Sequence, residues 1–176
     1  FAGLDLPGYG DHRSQILLND GSGVFTILSE SGVEDDNAIA AGAVFADFDA
    51  DGTVDLFVGN GGTSYPGADA FYVGTGDGHF ELRTTALSSP PSQPTNGLVA
   101  CDFDDDGDQD VFASHYAVSV NNGHDSLWQN TGGNFTDIAV EVGFSALLTG
   151  NYYLEYLGYI DGPEPGADAT TAIGGN

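Results

Sequence analysis

Three phenylalanines, Phe25, Phe80 and Phe135, recur at intervals of 55 residues, and Asp47 and Asp102 are separated by the same interval. A fixed period of this length means that the chain is built from one supersecondary unit used again and again, and it constrains the fold before any local assignment is made. Around the phenylalanines, the segments Ile16–Thr26, Phe71–Glu81 and Leu127–Thr136 each hold a short apolar run, a glycine-rich turn and a second run that starts at the Phe. That order predicts a β-hairpin, with glycine supplying the positive φ angles of a tight turn. The second element, Gly42–Gly59 and its echo Gly97–Ser114, places an apolar run on either side of an acidic loop. One repeat therefore contains about four short strands, which is the pattern of a propeller blade. The predicted fold is all-β, with blades of about four antiparallel strands and no helical window of useful length. The stretches 59–70 and 88–95, the latter rich in proline, read as loops.

The repeat is laid out as a single array over 1–176, with approximate units 1–46, 47–101 and 102–156 and a partial unit 157–176. That is about 3.2 repeats, whereas a propeller closes with four to eight blades. Three arrangements meet this count: a piece of a larger propeller, two copies completing one ring, or repeats joined end to end between subunits. An incomplete array leaves strand edges that something must cover. The tyrosine-rich run 151–159 lies at one end and reads first as a blade strand, second as a partner-binding strand. The chain starts with Phe1 and contains no Met, so the expectation is a processed or excised piece.

Composition narrows the function. Of 176 residues, 27 are Asp or Glu and only Arg13 and Arg83 are basic, giving a formal net charge of -25. Such a chain cannot neutralise a row of phosphates, which excludes nucleic acid as a partner. A 40% hydrophobic and 11% aromatic content supports a packed core, and no run of eighteen or more apolar residues offers a membrane span. The one cysteine, Cys101, excludes an intrachain disulfide and a cysteine-based zinc site; it corresponds to Ala46 one repeat earlier and is expected to be a small buried core residue.

The acidic loops carry the chemistry. Asp47, Asp49 and Asp51 alternate ahead of Gly52 and are followed by Asp55; Asp102, Asp104, Asp106, Gly107 and Asp110 repeat the pattern. Alternate carboxylates on a turning loop converge on one centre, the glycine permits the turn, and a following carbonyl and final carboxylate complete a cage of hard oxygen donors suited to Ca²⁺. Without a cation those carboxylates repel one another. A helix–loop–helix calcium site fails here, because position twelve is Val58 in one loop and Ala113 in the other, where that motif needs Glu. The flanks are also β-branched or aromatic.

This apolar-Asp-x-Asp-x-Asp-Gly-x-x-Asp-apolar pattern, at 46–58 and 101–113, resembles the calcium loop of the FG-GAP/VCBS repeats of integrin-α-type β-propellers, and the hairpins resemble the segments that accompany such loops. The resemblance covers most of residues 1–162. It implies that each loop joins the first two strands of a blade and binds Ca²⁺ as a structural ion. By that match the ligands are Asp47, Asp49, Asp51 and Asp55 with the carbonyl of Thr53, and Asp102, Asp104, Asp106 and Asp110 with the carbonyl of Asp108. A third loop around Asp161-Gly162 keeps its turn but has Leu157, Tyr159 and Pro165 at ligand positions, so no metal is expected there.

Other residues carry weaker signals. His12, His79, His115 and His124 occupy unrelated repeat positions and read as scattered surface residues. Gly74-x-Gly76-x-Gly78 lacks the helix and lysine of a phosphate loop and reads as a hairpin turn. Asp105 and Asp108 are solvated turn residues or outer-shell groups. Asn134-Phe-Thr136 is a formal N-glycosylation sequon on a turn. The expected function is a non-catalytic, calcium-binding scaffold, secreted or at the cell surface, that contacts protein or carbohydrate through its loops. The second expectation is a structural subunit that self-associates through open strand edges into a filament or array, and the third is part of a secreted hydrolase or lyase.

Overall fold

A computed structural model describes residues 14–34, 40–61, 68–88, 94–115 and 125–143. Eleven strands run in chain order: β1 (Ile16–Asn19), β2 (Phe25–Leu28), β3 (Ala40–Ala46), β4 (Asp55–Asn60), β5 (Ala70–Gly74), β6 (Phe80–Leu82), β7 (Leu87–Ser88), β8 (Thr95–Cys101), β9 (Asp110–His115), β10 (Ser126–Asn130) and β11 (Phe135–Asp137). The described residues hold no helix, and in particular none long and apolar enough to cross a membrane.

The apolar runs of the repeat become two blades. Strands β3-β4-β5-β6 form one four-stranded antiparallel sheet, and β8-β9-β10-β11 form a second of the same order, with β7 added at its outer edge. The hairpin β1–β2 stands as a two-stranded ribbon in the place of the outer half of a blade. Among the described residues the sheets form no closed ring. Each acidic loop joins the first two strands of its blade, β3 to β4 and β8 to β9. The expected hairpins are β1–β2, β5–β6 and β10–β11. The segments expected as loops are shorter than the sequence implied: Gly59 and Asn60 complete β4, Ala70 opens β5, Ser88 ends β7 and Thr95 opens β8. The tyrosine-rich run and the third loop lie outside the described residues.

Side-chain alternation explains how the blades stack. On β4, every residue is buried because its two faces meet different neighbours. Phe57 faces the second blade, in a core with Phe48, Phe71, Val111, Ala113, Trp128 and Phe135. Leu56 and Val58 face the β1–β2 ribbon, in a second core with Ile16, Val33, Tyr72 and Phe80. Burial of each large ring contributes about 1.5–3 kcal/mol. Phe135 meets Phe48, Phe57 and Phe71 edge-on at centroid distances of 5.6, 5.2 and 5.0 Å.

The blades are also tied by backbone. Phe80 N donates to Ser31 O at 2.8 Å, and one repeat later Phe135 N donates to Ala86 O at 2.7 Å. The chain leaving each outermost strand thus runs on to fasten the outermost strand of the next blade, which is why β7 lies parallel to β11. Gly32 is needed at the first fastening, since a Cβ there would lie 2.0 Å from Phe80 O.

Candidate metal centre

Both acidic loops fold through short carboxylate-to-backbone bonds that their alternating aspartates make available. Asp47 accepts from Asp51 N and Gly52 N, both at 3.1 Å, and Asp102 accepts from Asp106 N and Gly107 N at 3.1 and 3.0 Å. Asp51 accepts from Thr53 N at 2.7 Å and from the Thr53 hydroxyl, and Asp106 accepts from Asp108 N at 2.9 Å. Gly52 and Gly107 adopt φ of 89° and 99°, the left-handed geometry that the motif's glycine anticipates. Ala50 and Asp105 hold the same relative position at φ 58° and 61°, a conformation that costs a non-glycine residue about 1–2 kcal/mol.

The last aspartate of each loop is the anchor. Asp55 is fully buried and its two oxygens accept from Phe48 N and Gly74 N, both at 2.9 Å. Asp110 is fully buried as well and accepts from Phe103 N at 3.0 Å and Asn130 N at 2.8 Å. Burial raises both carboxyls above the usual aspartate range against the pull of these N–H donors, and the charge of Asp49 adds to the rise at Asp55, as do Asp104 and Asp106 at Asp110. Asp51, exposed, is lowered by its bonds from Thr53.

The loops bring together carboxylate oxygens of Asp47, Asp49 and Asp55 within 4.8 Å of one another, and of Asp102, Asp104 and Asp106 within the same span. Each group can hold a metal ion. Oxygens at 2.3–2.6 Å from a common Ca²⁺ lie up to about 5 Å apart, so the span matches that shell, and an all-carboxylate set is hard-donor chemistry without the nitrogen or sulfur that zinc prefers. Of the ligands expected by resemblance, Asp51 stands outside the first group and Asp110 outside the second, each held by its backbone bonds.

The model of the FG-GAP-like repeat matches residues 4–58 and 47–113, so each acidic loop lies within a matched repeat. The chain belongs to the FG-GAP-like repeat family. It is also similar to cartilage acidic protein 1: 34% identical over 107 residues to the Mus musculus protein, 34% over 106 to that of Xenopus tropicalis and 32% over 107 to that of Homo sapiens. Each match covers 58% of this chain but only 15–16% of the relative, so the matched part of the chain spans about a sixth of those proteins' length.

In these FG-GAP-like repeats several residues that the motif did not mark support the loops. Asn130, fully buried, donates from Nδ2 to Gln109 O at 3.0 Å and to Phe48 O at 2.7 Å, and accepts from Gly133 N at 2.9 Å. Gln129 Nε2 donates to Asp104 at 2.6 Å, and Gly132 N to Asp108 at 3.1 Å. The available signal was the interruption of the repeat itself, because the turn after Asn130 is one residue shorter than the turn after Gly74. Asp108 is thus a side-chain acceptor for the neighbouring hairpin.

Two expectations are corrected. His115 is not a surface residue: its side chain is buried between the blades with Nε2 3.7 Å from Asp69 Oδ2, because β9 turns it towards the first blade beside Thr95. Asp69 also accepts from Asn60 N at 3.0 Å and the Thr95 hydroxyl at 2.7 Å. Cys101 is exposed rather than buried, since it lies on the innermost strand β8 at a point where no described element covers it. His79 is on the surface, bonded to Asp77 at 2.9 Å, and His12 and His124 lie outside the described residues. Gly76 and Gly78 take positive φ in the β5–β6 turn, and Asn134 is exposed in the β10–β11 turn.

Proposed function

We propose that this chain is a calcium-stabilised extracellular repeat scaffold without catalytic activity, secreted or at a cell surface, whose loops contact a protein or carbohydrate ligand. The observation that carries the reading is the recurrence, one repeat apart, of a three-carboxylate group anchored by a buried aspartate. Asp47, Asp49 and Asp55 would hold one Ca²⁺ and Asp102, Asp104 and Asp106 the other, and a bound ion would draw in Asp51 with the Thr53 carbonyl, and Asp110 with the Asp108 carbonyl, which the family resemblance adds to each set. Bound there, the ion would supply positive charge that offsets the mutual repulsion of the carboxylates. Asp55 and Asp110 connect each loop to the neighbouring strand through Gly74 N and Asn130 N, so order in the loop passes to the blade. The similar relatives are named for cartilage, an extracellular tissue, and for acidity, a character this chain shares at a net charge of -25. Extracellular calcium modules work at roughly 10⁻⁴–10⁻³ M affinity, which such a setting supplies. Both described acidic clusters are accounted for by this role, which favours a scaffold over paired-carboxylate catalysis.

The test is thermal unfolding with a calcium titration. A melting temperature that rises with Ca²⁺, falls with EDTA, and loses its response in the Asp47→Ala plus Asp102→Ala variant supports the reading. Identical melting in Ca²⁺ and EDTA overturns it.

A further inference from the structure

We infer that the two metal centres are unequal and fill in order, the second loop taking up calcium before the first, so that the chain answers a rising calcium concentration in two steps, one blade at a time. The inference rests on the proposed calcium role and adds a rank to it, read from residues that surround the loops.

The ligand patterns themselves are matched. Each loop has its glycine in the left-handed region, a group of three converging carboxylates, and a last aspartate that is fully buried and bonded to two backbone N–H groups. A difference in affinity therefore comes from the surroundings, where charge count and rigidity set how strongly an oxygen cage holds Ca²⁺.

Charge differs first. Asp105 and Asp108 stand where the first loop has Ala50 and Thr53, so six carboxylates lie between 102 and 110 against four between 47 and 55. The first loop also has a cation beside it. The place that a Gly133 Cβ would take is 2.9 Å from Arg83 Nη1 and 3.0 Å from Asp49 Cβ, so those two atoms are no further apart than the sum of the two distances. The counterpart of Arg83 one repeat later is the uncharged Ile138. A positive charge at this range opposes a divalent cation, whereas an added carboxylate attracts it, and salt screens both effects to a few-fold in affinity.

Rigidity differs in the same direction. Gln129 on β10 donates from Nε2 to Asp104 Oδ2 at 2.6 Å, and Gly132 N donates to Asp108 Oδ2 at 3.1 Å, so the next hairpin clasps two side chains of the second loop. The Gln129 bond uses one lone pair of Asp104 and leaves the rest of the carboxylate for an ion. In the first loop the residue in register with Gln129 is Val73, which has no side-chain donor, and Asp49 accepts from Asp51 N of its own turn at 3.3 Å. The first loop's side-chain tie to its hairpin is the bond from the Thr53 hydroxyl to Gly74 O, at 3.2 Å. A carboxylate held in place beforehand loses less freedom on binding an ion, which makes Gln129 a positioning residue of the second centre.

Calcium titration of the full chain, followed by nitrogen–proton correlation NMR, reads each centre separately. Gly52 N and Gly107 N each bond the first aspartate of their own loop, at 3.1 and 3.0 Å. The Gly107 signal is expected to reach half of its change at roughly tenfold lower free Ca²⁺ than the Gly52 signal. Gln129→Val gives the second loop the residue of the first and is expected to raise the Gly107 midpoint by about threefold, leaving that of Gly52 in place. Arg83→Gln is expected to lower the Gly52 midpoint by about the same factor. Asp105→Ala changes an exposed position and tests charge apart from packing; it is expected to raise the Gly107 midpoint alone. Coincident midpoints, or a Gly52 signal that saturates first, overturn the ranking and leave the calcium role standing. A ranking that none of the three variants alters overturns its assignment to these residues. Two signals that never respond to Ca²⁺ overturn the calcium role itself, and the ranking with it.

Discussion

Asn130 Nδ2 donates to the carbonyl of Phe48 across the seam between the blades, at 2.7 Å. One side chain thereby joins the two acidic loops, because its backbone N–H also bonds Asp110 and its Nδ2 also bonds Gln109 O. This contact links the Phe48 end of the first loop to the Gln109 end of the second.

Asn130→Leu fills the space but leaves Phe48 O and Gln109 O without a donor inside the protein. A buried unsatisfied acceptor costs about 1–3 kcal/mol, so a loss of that order is expected in urea unfolding in Ca²⁺. Calcium titrations should show the two sites losing any dependence on each other; an unchanged midpoint would remove Asn130 from this role.

The seam histidine gives a second expectation. His115→Asn leaves Asp69 with Asn60 N and Thr95 Oγ1 as donors but without the imidazole beside its other oxygen. A destabilisation of about 1 kcal/mol, typical of a buried substitution, is expected. It should shrink when Asp69 is already Asn, and a double-mutant cycle reads the coupling directly. Additive losses would place His115 there for packing alone.

Stability in EDTA should fall as pH rises through the raised values of Asp55 and Asp110, and fall again as pH drops through the lowered value of Glu34. Asp55 and Asp110 have folded values raised above 3.8, so the folded protein binds more protons than the unfolded chain as pH climbs from 3.8 through those values. Their contribution is full below 3.8 and is lost on the alkaline side. Glu34 runs the other way: burial opposes its charge, but the Ser31 hydroxyl and the N–H groups of Ser31 and Gly32 outweigh it and lower its value from 4.5. Its contribution is present above 4.5 and is lost as pH falls through the lowered value. Melting curves between about pH 2.5 and 8 would check this. Saturating Ca²⁺ should flatten the alkaline limb, and a melting temperature that rises steadily to pH 7 in EDTA would contradict the assignment.

Ala50→Gly should stabilise the calcium-loaded protein by about 1 kcal/mol, since glycine takes φ 58° without the strain that a Cβ imposes. Asp105→Gly should gain less, because aspartate tolerates that region better than alanine. Chemical denaturation of the two variants side by side decides it.

The blades and the loops were legible in the sequence because each is local. The hairpins show in glycine-rich turns between apolar runs, and the acidic loops show because converging oxygens demand fixed spacing along one short segment. What a residue faces across a seam was not legible. Phe25, Phe80 and Phe135 hold equivalent positions in their repeats but differ in burial according to what precedes them in the array. His115 and Cys101 were misplaced for the same reason: strand identity sets the direction of a side chain, and only the neighbouring blade decides whether that direction is inside. Asn130 joins segments 82 residues apart, a relation no local pattern records.

The fastening of Phe80 to Ser31 and of Phe135 to Ala86 bears on how such a chain changes length in evolution. In both of these fastenings the preceding unit carries the closure for its successor, so a tandem duplication of fifty-five codons would add a blade together with its attachment. Copy number can then drift without redesign of any seam, while a deletion that falls out of phase with the period leaves one outer strand loose.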